Sequence, residues 1–298
     1  MNKKQKGLLT DFSLLFIAVI WALNFSVIKA SLTEIDIYSF NALRFILASL
    51  FIWAVIAKRG KWFRVQKKDW FILIVIALLG SLLYQWLFIV GIDLTLAANA
   101  AVMLGTIPIW VAILSHLLSI DRMNGLKAGG VVLGFAGVIL IIVFGKDPIS
   151  FGSDNFLGDM AILLAAFVFA VYTIFSKRHL TTYSPLQYSA FMVTFGAVAL
   201  SVLAIPHVHS TNWSEVSLPA IGGLVFSGLL AIGLAFIIWN NGIKSVGTVR
   251  TATYQNLVPV LGLIFGIVLL GESLEPLQYV GSAVVISGIL LTRYGGRI

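Results

Sequence analysis

The sequence predicts an all-α membrane protein: ten transmembrane helices built as two inverted five-helix repeats around a central cavity. Three observations carry this. First, 59% of the 298 residues are hydrophobic, only 11% are charged, and the mean hydropathy is +1.01. A soluble domain has about a quarter of its residues charged, so these apolar residues are too many for one water-bounded core. Second, the apolar residues gather into runs of about 20, the length that crosses a bilayer as a helix. The runs do not alternate, which excludes a transmembrane β-barrel. Third, the stretch from Gly91 to Ile109, GIDLTLAANAAVMLGTIPI, is echoed from Gly242 to Val260 as GIKSVGTVRTATYQNLVPV. The echo aligns Asn99 with Arg250, Pro108 with Pro259, Gly130 with Gly281 and Gly137 with Gly288. A slightly shorter offset pairs Asp11 with Asp159, Lys29 with Lys177 and Leu32 with Leu180. Two related halves follow, 1–148 and 149–298.

Taken in order, the expected spans are 12–30, 38–57, 70–91, 96–120 and 126–144 in the first half, and 158–177, 185–205, 218–239, 246–270 and 276–294 in the second. The first follows Lys3, Lys4 and Lys6 and runs past Trp21 without a small-residue exit, so it is a span and not a cleaved leader. The second closes on Lys58 and Arg59, and the third opens after Lys67 and Lys68. The fourth and ninth each hold an internal proline, Pro108 and Pro259, which removes a backbone donor and favours a kink. The fifth carries Gly129, Gly130, Gly134 and Gly137, and the tenth echoes them with Gly281 and Gly288. Such small residues let helix backbones approach closely. That packing is expected within the chain first, and it leaves room for a homodimer. The sixth and seventh are joined at 178–184, and the eighth ends in Trp239-Asn240-Asn241. The longest connections are 145–157 and 206–217.

Charge sets the orientation, because Lys and Arg collect on the cytoplasmic side. With the N-terminus inside, the inner ends hold Lys3, Lys4, Lys6, Lys58, Arg59, Lys61, Arg64, Lys67, Lys68, Arg122, Lys127, Lys177, Arg178, Lys244, Arg293 and Arg297. Only Lys146 falls clearly in an outer loop. The outer loops hold Glu34, Asp36, Asp93, Asp147, Asp154, Glu215, Glu272 and Glu275. Both termini are thus expected in the cytoplasm, in a bacterial cytoplasmic membrane. The net charge of +8 is a topology signal and a coat for anionic lipid, so no nucleic-acid partner is needed. With no cysteine there is neither a disulfide framework nor a thiolate metal site, and no cofactor or metal is expected. Five spans is an odd number, so two related halves must insert upside down relative to each other. Inverted repeats are a feature of secondary transporters, with the substrate between the halves near the midplane.

Several motifs then resemble one family. They are Trp21-Ala-Leu-Asn24-Phe25 with Lys29, Leu43-Arg44-Phe45, Trp239-Asn240-Asn241, Val246-Gly247, Asn256-Leu257-Val258-Pro259-Val260 and Leu270-Gly271-Glu272. In order along the whole chain they resemble the EamA-type transporters of the drug/metabolite transporter superfamily. The resemblance implies ten helices in two inverted repeats around a central cavity. It also implies transport of small metabolites, often export of amino acids or drug-like compounds.

Polar residues inside spans are costly and face the bundle or a cavity. Asn24 lies mid-span in the first helix. Asn99, Met103, Thr106 and Trp110 share one face of the fourth, and Arg250 and Tyr254 the matching face of the ninth. Tyr84 and Tyr172 lie deep in the third and sixth. The expected substrate-binding set is Asn24, Tyr84, Asn99, Met103, Trp110, Tyr172, Arg250 and Tyr254. For each, interhelical hydrogen bonding or packing is the plain alternative, and Arg250 could snorkel to the inner surface. Arg44 is expected to pair with Glu34 or Asp36 in preference to a substrate carboxylate. Trp239 is expected in the interfacial aromatic belt. All twelve acids fall at span ends or in loops, and His116 is the only histidine deep enough for a proton relay. This favours passive or exchange-type movement, or coupling through the substrate's own charge. An intramembrane enzyme would need a nucleophile with its base or paired acids, and none is present at depth. A channel would need a filter of carbonyl or charge rings.

Overall fold

The computed structural model describes residues 3–60, 62–95, 100, 103–144, 156–207, 209–270 and 275–295. Among them every regular element is helical. The long ones are α1 (Lys3–Ser31), α2 (Ile37–Arg59), α3 (Lys67–Leu94), α6 (Phe156–His179), α7 (Pro185–Ala204) and α8 (Leu218–Val246). Six helices are long and apolar enough to cross a membrane: α1, α2, α3, α6, α8 and α7 with its continuation to His207. Between these lie α4 (Met103–Leu117) and α5 (Gly125–Val143). Two more close the chain, α9 over 248–270 and α10 (Pro276–Gly295). The flanks of α2, α7 and α9 expose Leu50, Val198 and Ile264, with only acyl chains of the right polarity to meet them. The protein is an integral membrane protein.

Caps fix several helix starts. Asp36 accepts from the N–H groups of Tyr38 and Ser39 at 3.0 and 2.9 Å, and Ser184 and Gln187 form a reciprocal capping box on α7. Two helices are widened midway: α3 makes a π-type stretch at Leu78–Leu83 and α8 another at Ser227–Leu234. Two are broken: α4 has a turn at Thr106, and α9 passes from Thr248–Thr253 through a 3₁₀ turn at Tyr254–Asn256 to Leu257–Leu270. Pro108 and Pro259 each sit in the first turn after the break. There proline's missing N–H costs least.

Helix α5 packs on α10 along the glycines the sequence marks. A Cβ on Gly137 would stand 2.7 Å from the carbonyl oxygen of Gly281, and one on Gly288 would stand 2.6 Å from that of Gly130. These glycines serve packing within one chain. The other helices share a core in which Phe45, Tyr172, Met192 and Trp239 are buried. Polar ties cross it: the Tyr172 hydroxyl donates to Asn240 Oδ1 at 3.2 Å, and Asn240 Nδ2 donates to Ser189 at 2.9 Å.

Each end of the bundle is laced. At one end Asp11 of α1 accepts on Oδ1 from Arg250 Nη2 and Nε at 2.7 and 3.1 Å and on Oδ2 from Nη2 again, and lies 3.1 Å from Arg293 of α10. Nearby, Asp121 accepts from the backbone and hydroxyl of Thr248, and Lys177 approaches it to 3.7 Å. Tyr183 donates to Asp69 at 2.7 Å, and burial and this acid together hold its phenol above the usual range. At the other end Glu34 accepts from the Ser217 backbone and hydroxyl at 2.6 and 2.8 Å. Asp36 donates its N–H to Thr211, and Tyr38 stacks on His207 at 4.1 Å.

Candidate functional site

A cavity of about 280 Å³ opens between the helices of the two halves. From the first half α1 gives Trp21, Ala22, Asn24, Phe25 and Ser26, and α2 gives Arg44. Helix α3 gives Tyr84, Gln85 and Phe88, and α4 gives Leu104, Gly105 and Ile107. From the second half come Phe169 of α6, then Ala231, Ile232 and Phe236 of α8, and finally Gln255, Val258, Pro259 and Gly262 of α9. The irregular turns all meet here. The π-type stretch of α8 supplies Ala231 and Ile232, and that of α3 ends just before Tyr84. A widened turn leaves backbone carbonyls without their α-helical donor, and Trp21 Nε1 donates to the carbonyl of Ala231 at 2.9 Å. The breaks in α4 and α9 supply Leu104 to Ile107 and Gln255 to Pro259. Pro108 and Pro259 lack the N–H groups that would otherwise bond the carbonyls of Leu104 and Gln255.

Six rings stand in the wall: Trp21, Phe25, Tyr84, Phe88, Phe169 and Phe236. Phe25 meets Phe88 edge-on at 5.9 Å, and Tyr84 lies 4.6 Å from Phe169. Trp239 stands behind this wall, 5.4 Å from Trp21 and 5.3 Å from Phe169. It is 1% exposed. The interfacial belt expected for it is therefore wrong: α8 continues to Val246 and leaves Trp239 two turns inside its end.

Arg44 departs from expectation as well. It is 2% exposed, and neither Glu34 nor Asp36 reaches it, because those acids bind Ser217 and cap α2. Its Nε donates to Asn41 Oδ1 at 2.9 Å, Nη1 to Ser227 at 3.3 Å and Nη2 to Gln85 Oε1 at 2.6 Å, with the Phe40 ring 5.6 Å away. All these partners are neutral.

The eight residues singled out from the sequence fall into three groups. Asn24 and Tyr84 line the cavity. Asn99 lies outside the described residues, as do Asp147, Asp154 and Glu272. The other five stand away from the wall. Arg250 is held by Asp11 and does not snorkel, and Tyr254 stands beside the same acid. Trp110 meets Phe167 edge-on at 5.4 Å, Met103 packs in the smaller apolar cluster, and Tyr172 is buried behind Phe169. His116 is exposed at the end of α4, away from the cavity. Sequence reasoning passed over Trp21, Phe25, Phe88, Phe169 and Phe236, since an aromatic at helical spacing looks the same in a core and in a wall. Among the described residues no cluster of His, Cys, Asp and Glu is arranged to hold a metal.

Comparison with known proteins decides the family. The sequence profile of the EamA-like transporter family matches residues 8–143 and matches again over 156–294. The chain belongs to the EamA-like transporter family. An uncharacterised transporter of Archaeoglobus fulgidus is 30% identical over 294 residues, which cover 98% of each chain. The uncharacterised transporter YoaV of Bacillus subtilis is 25% identical over 280 residues, covering 93% of this EamA-like chain and 94% of its relative. A solved structure described only as the crystal structure of a protein shares the fold, with a TM-score of 0.80, 17% identity and 98% of both chains covered.

Proposed function

We propose that this EamA-like transporter carries small amphipathic metabolites, amino acids or aromatic and drug-like compounds, by alternating access, in the direction of export. The observation that carries the reading is one cavity whose wall is drawn from both matched segments, at the irregular turns of α3, α4, α8 and α9. Broken helices around a site between repeats are how secondary transporters expose backbone polar groups to a substrate. In this reading ten helices cross the membrane as two inverted repeats, 1–148 and 149–298, with both termini in the cytoplasm of a bacterial inner membrane. The matched pairs of irregularities support two related halves: Pro108 with Pro259, and the π-type stretch from Leu78 with that from Ser227. Helices α3 and α6 pack together as do α8 and α1, their counterparts. The Asp11–Arg250–Arg293 cluster serves as the inner gate. A channel is disfavoured because the wall holds a single charged residue and no ring of charges, and an enzyme because neither an acid pair nor a nucleophile with an adjacent base lines the wall among the described residues.

The chain has no cysteine, so the test needs no background mutations. The loops around Thr33 and Thr181 are equivalent in the two halves. Thr33→Cys should label from outside the cell, and Thr181→Cys only after permeabilisation. Labelling of both from one side would sink the inverted arrangement. Saturable counterflow of an amino acid or aromatic amine in liposomes is expected alongside, and linear flux without saturation would sink the carrier.

A further inference from the structure

The cavity wall holds one fixed charge. Arg44 is buried, and it is the only Lys, Arg, Asp or Glu that lines the space among the described residues. A guanidinium has five N–H donors, and three are spoken for, by Asn41, Ser227 and Gln85. Those partners hold the group in place and orient it, but they do not neutralise it. A buried charge with no partner of opposite sign is costly, and among the described residues no carboxylate forms an ion pair with Arg44. Asp11 is committed to Arg250 and Arg293, Glu34 to Ser217, Asp36 to the start of α2 and Asp121 to Thr248. A second orphan faces the same space: Asn24 is 8% exposed, lines the cavity, and its Oδ1 has no hydrogen-bond partner.

We propose that the ligand of this cavity is a small organic monocarboxylate whose carboxylate binds Arg44, and that Asn24 Oδ1 accepts a hydrogen bond from a donor on the same molecule. The inference rests on the carrier reading for the cavity's role, and it adds the charge and layout of what is carried. Two free N–H groups on one guanidinium match one carboxylate in size and charge. A phosphate monoester would bring a second negative charge, and the wall offers no second cation for it. The apolar body lies against the rings of Trp21, Phe25 and Phe236. Three helices converge on the anchor: α2 supplies it, and α3 and α8 hold it through Gln85 and Ser227. Both holders lie at the π-type stretches, Ser227 opening one and Gln85 following the other. Binding at Arg44 therefore bears on the helices of both halves.

The test uses the full chain in nanodiscs. Acetate, 3-phenylpropionate and indole-3-acetate are each compared with their own uncharged amides, read by titration calorimetry and by heat stability. At least one acid should bind about 30-fold more tightly than its amide, the scale for losing one partner of a buried hydrogen-bonded charge pair. Arg44→Gln should erase that ratio, and Arg44→Lys should keep part of it, since an ammonium keeps the charge and loses the fork. Phenylalanine, which adds a donor, should bind more tightly than 3-phenylpropionate, and Asn24→Ala should remove only that increment. If Arg44→Gln does not fold, the wild-type ratio and Arg44→Lys decide. Amides that bind as well as acids throughout, a ratio unchanged in Arg44→Gln, or no binding by any acid would overturn the proposal. Counterflow separates the two readings. Acid binding without counterflow keeps the anchor and sinks the carrier. Amides and amines carried as readily as acids keep the carrier and sink the anchor.

Discussion

Asp11 ties α1 to α9 through Arg250 and to α10 through Arg293. It lies two turns inside α1, its side chain is 6% exposed, and two arginines converge on it. Removing one partner of a buried ion pair strands the other charge and costs about 3–5 kcal/mol. Asp11→Asn should therefore lower the temperature at which the detergent-solubilised protein leaves its monodisperse peak. The double change Asp11→Asn with Arg250→Gln should lose less than the two single changes added together, and a loss equal to that sum would mean that the pair is not coupled. At the opposite end Glu34 gives a pH signature. The Ser217 N–H and hydroxyl bond its ionised form, and these bonds hold the carboxyl below its usual range. A carboxyl with a lowered folded pKa stabilises fully above its unfolded pKa, about 4.3, and loses that contribution as pH falls through the folded value. Glu34→Gln should melt below wild type near neutral pH and converge with it in acid, as read by heat stability across pH. The sequence marked both acids as polar ends of spans. It could not reveal their partners, because Arg250 is 239 residues from Asp11 and Ser217 is 183 from Glu34.

At the level of single helices, the span positions were largely legible, because lipid demands long apolar runs and tolerates few charges. Among the described residues the expected runs fall on helices. The ends moved where polar helix continues past the apolar part, as at Lys3–Phe12 of α1 and Asn240–Val246 of α8. The widened turns were not legible, since nothing in LLGSLL or SGLLAIGL separates a π-type turn from an α-helical one. The glycine seam between α5 and α10 was legible and gives a sharp test. A Cβ on Gly288 would lie 2.5 and 2.6 Å from the Gly134 nitrogen and Gly130 oxygen, backbone atoms that move only with their helix. Gly288→Ala should cost about 1–3 kcal/mol by overpacking. Gly222→Ala in α8, where nothing lies within 4 Å, should be neutral or gain up to about 1 kcal/mol from helix propensity. Equal heat stability in the two variants would contradict the close seam.

For the molecule as a whole, the repeat was the most useful sequence signal and also a partial guide. It matched Pro108 with Pro259, where kinks were expected, and α4 and α9 each carry an irregular turn just before that proline. It also drew the site toward Arg250 and Tyr254, on the reasoning that equivalent faces line one space. In the structure that face of α9 turns toward Asp11 instead, and the wall begins at Gln255, where the 3₁₀ turn has rotated the helix. A periodic reading assumes one uninterrupted helix, so it loses the facing of every residue beyond a break. Arg44 shows the opposite case. Its depth was visible in the sequence, and the error lay in supplying it with a nearby acid, when Glu34 and Asp36 had closer partners in other loops.

The π-type stretch of α3 has a consequence for how the chain tolerates length. Such a turn amounts to one surplus residue accommodated inside an otherwise ordinary helix. Omitting Leu79 should let 78–83 relax to regular winding while the flanks keep their facing. Omitting Leu50 from α2, which has no such slack, should rotate everything beyond it by about 100° and destroy the fold. Expression and monodispersity of the two shortened chains would show whether the surplus is real.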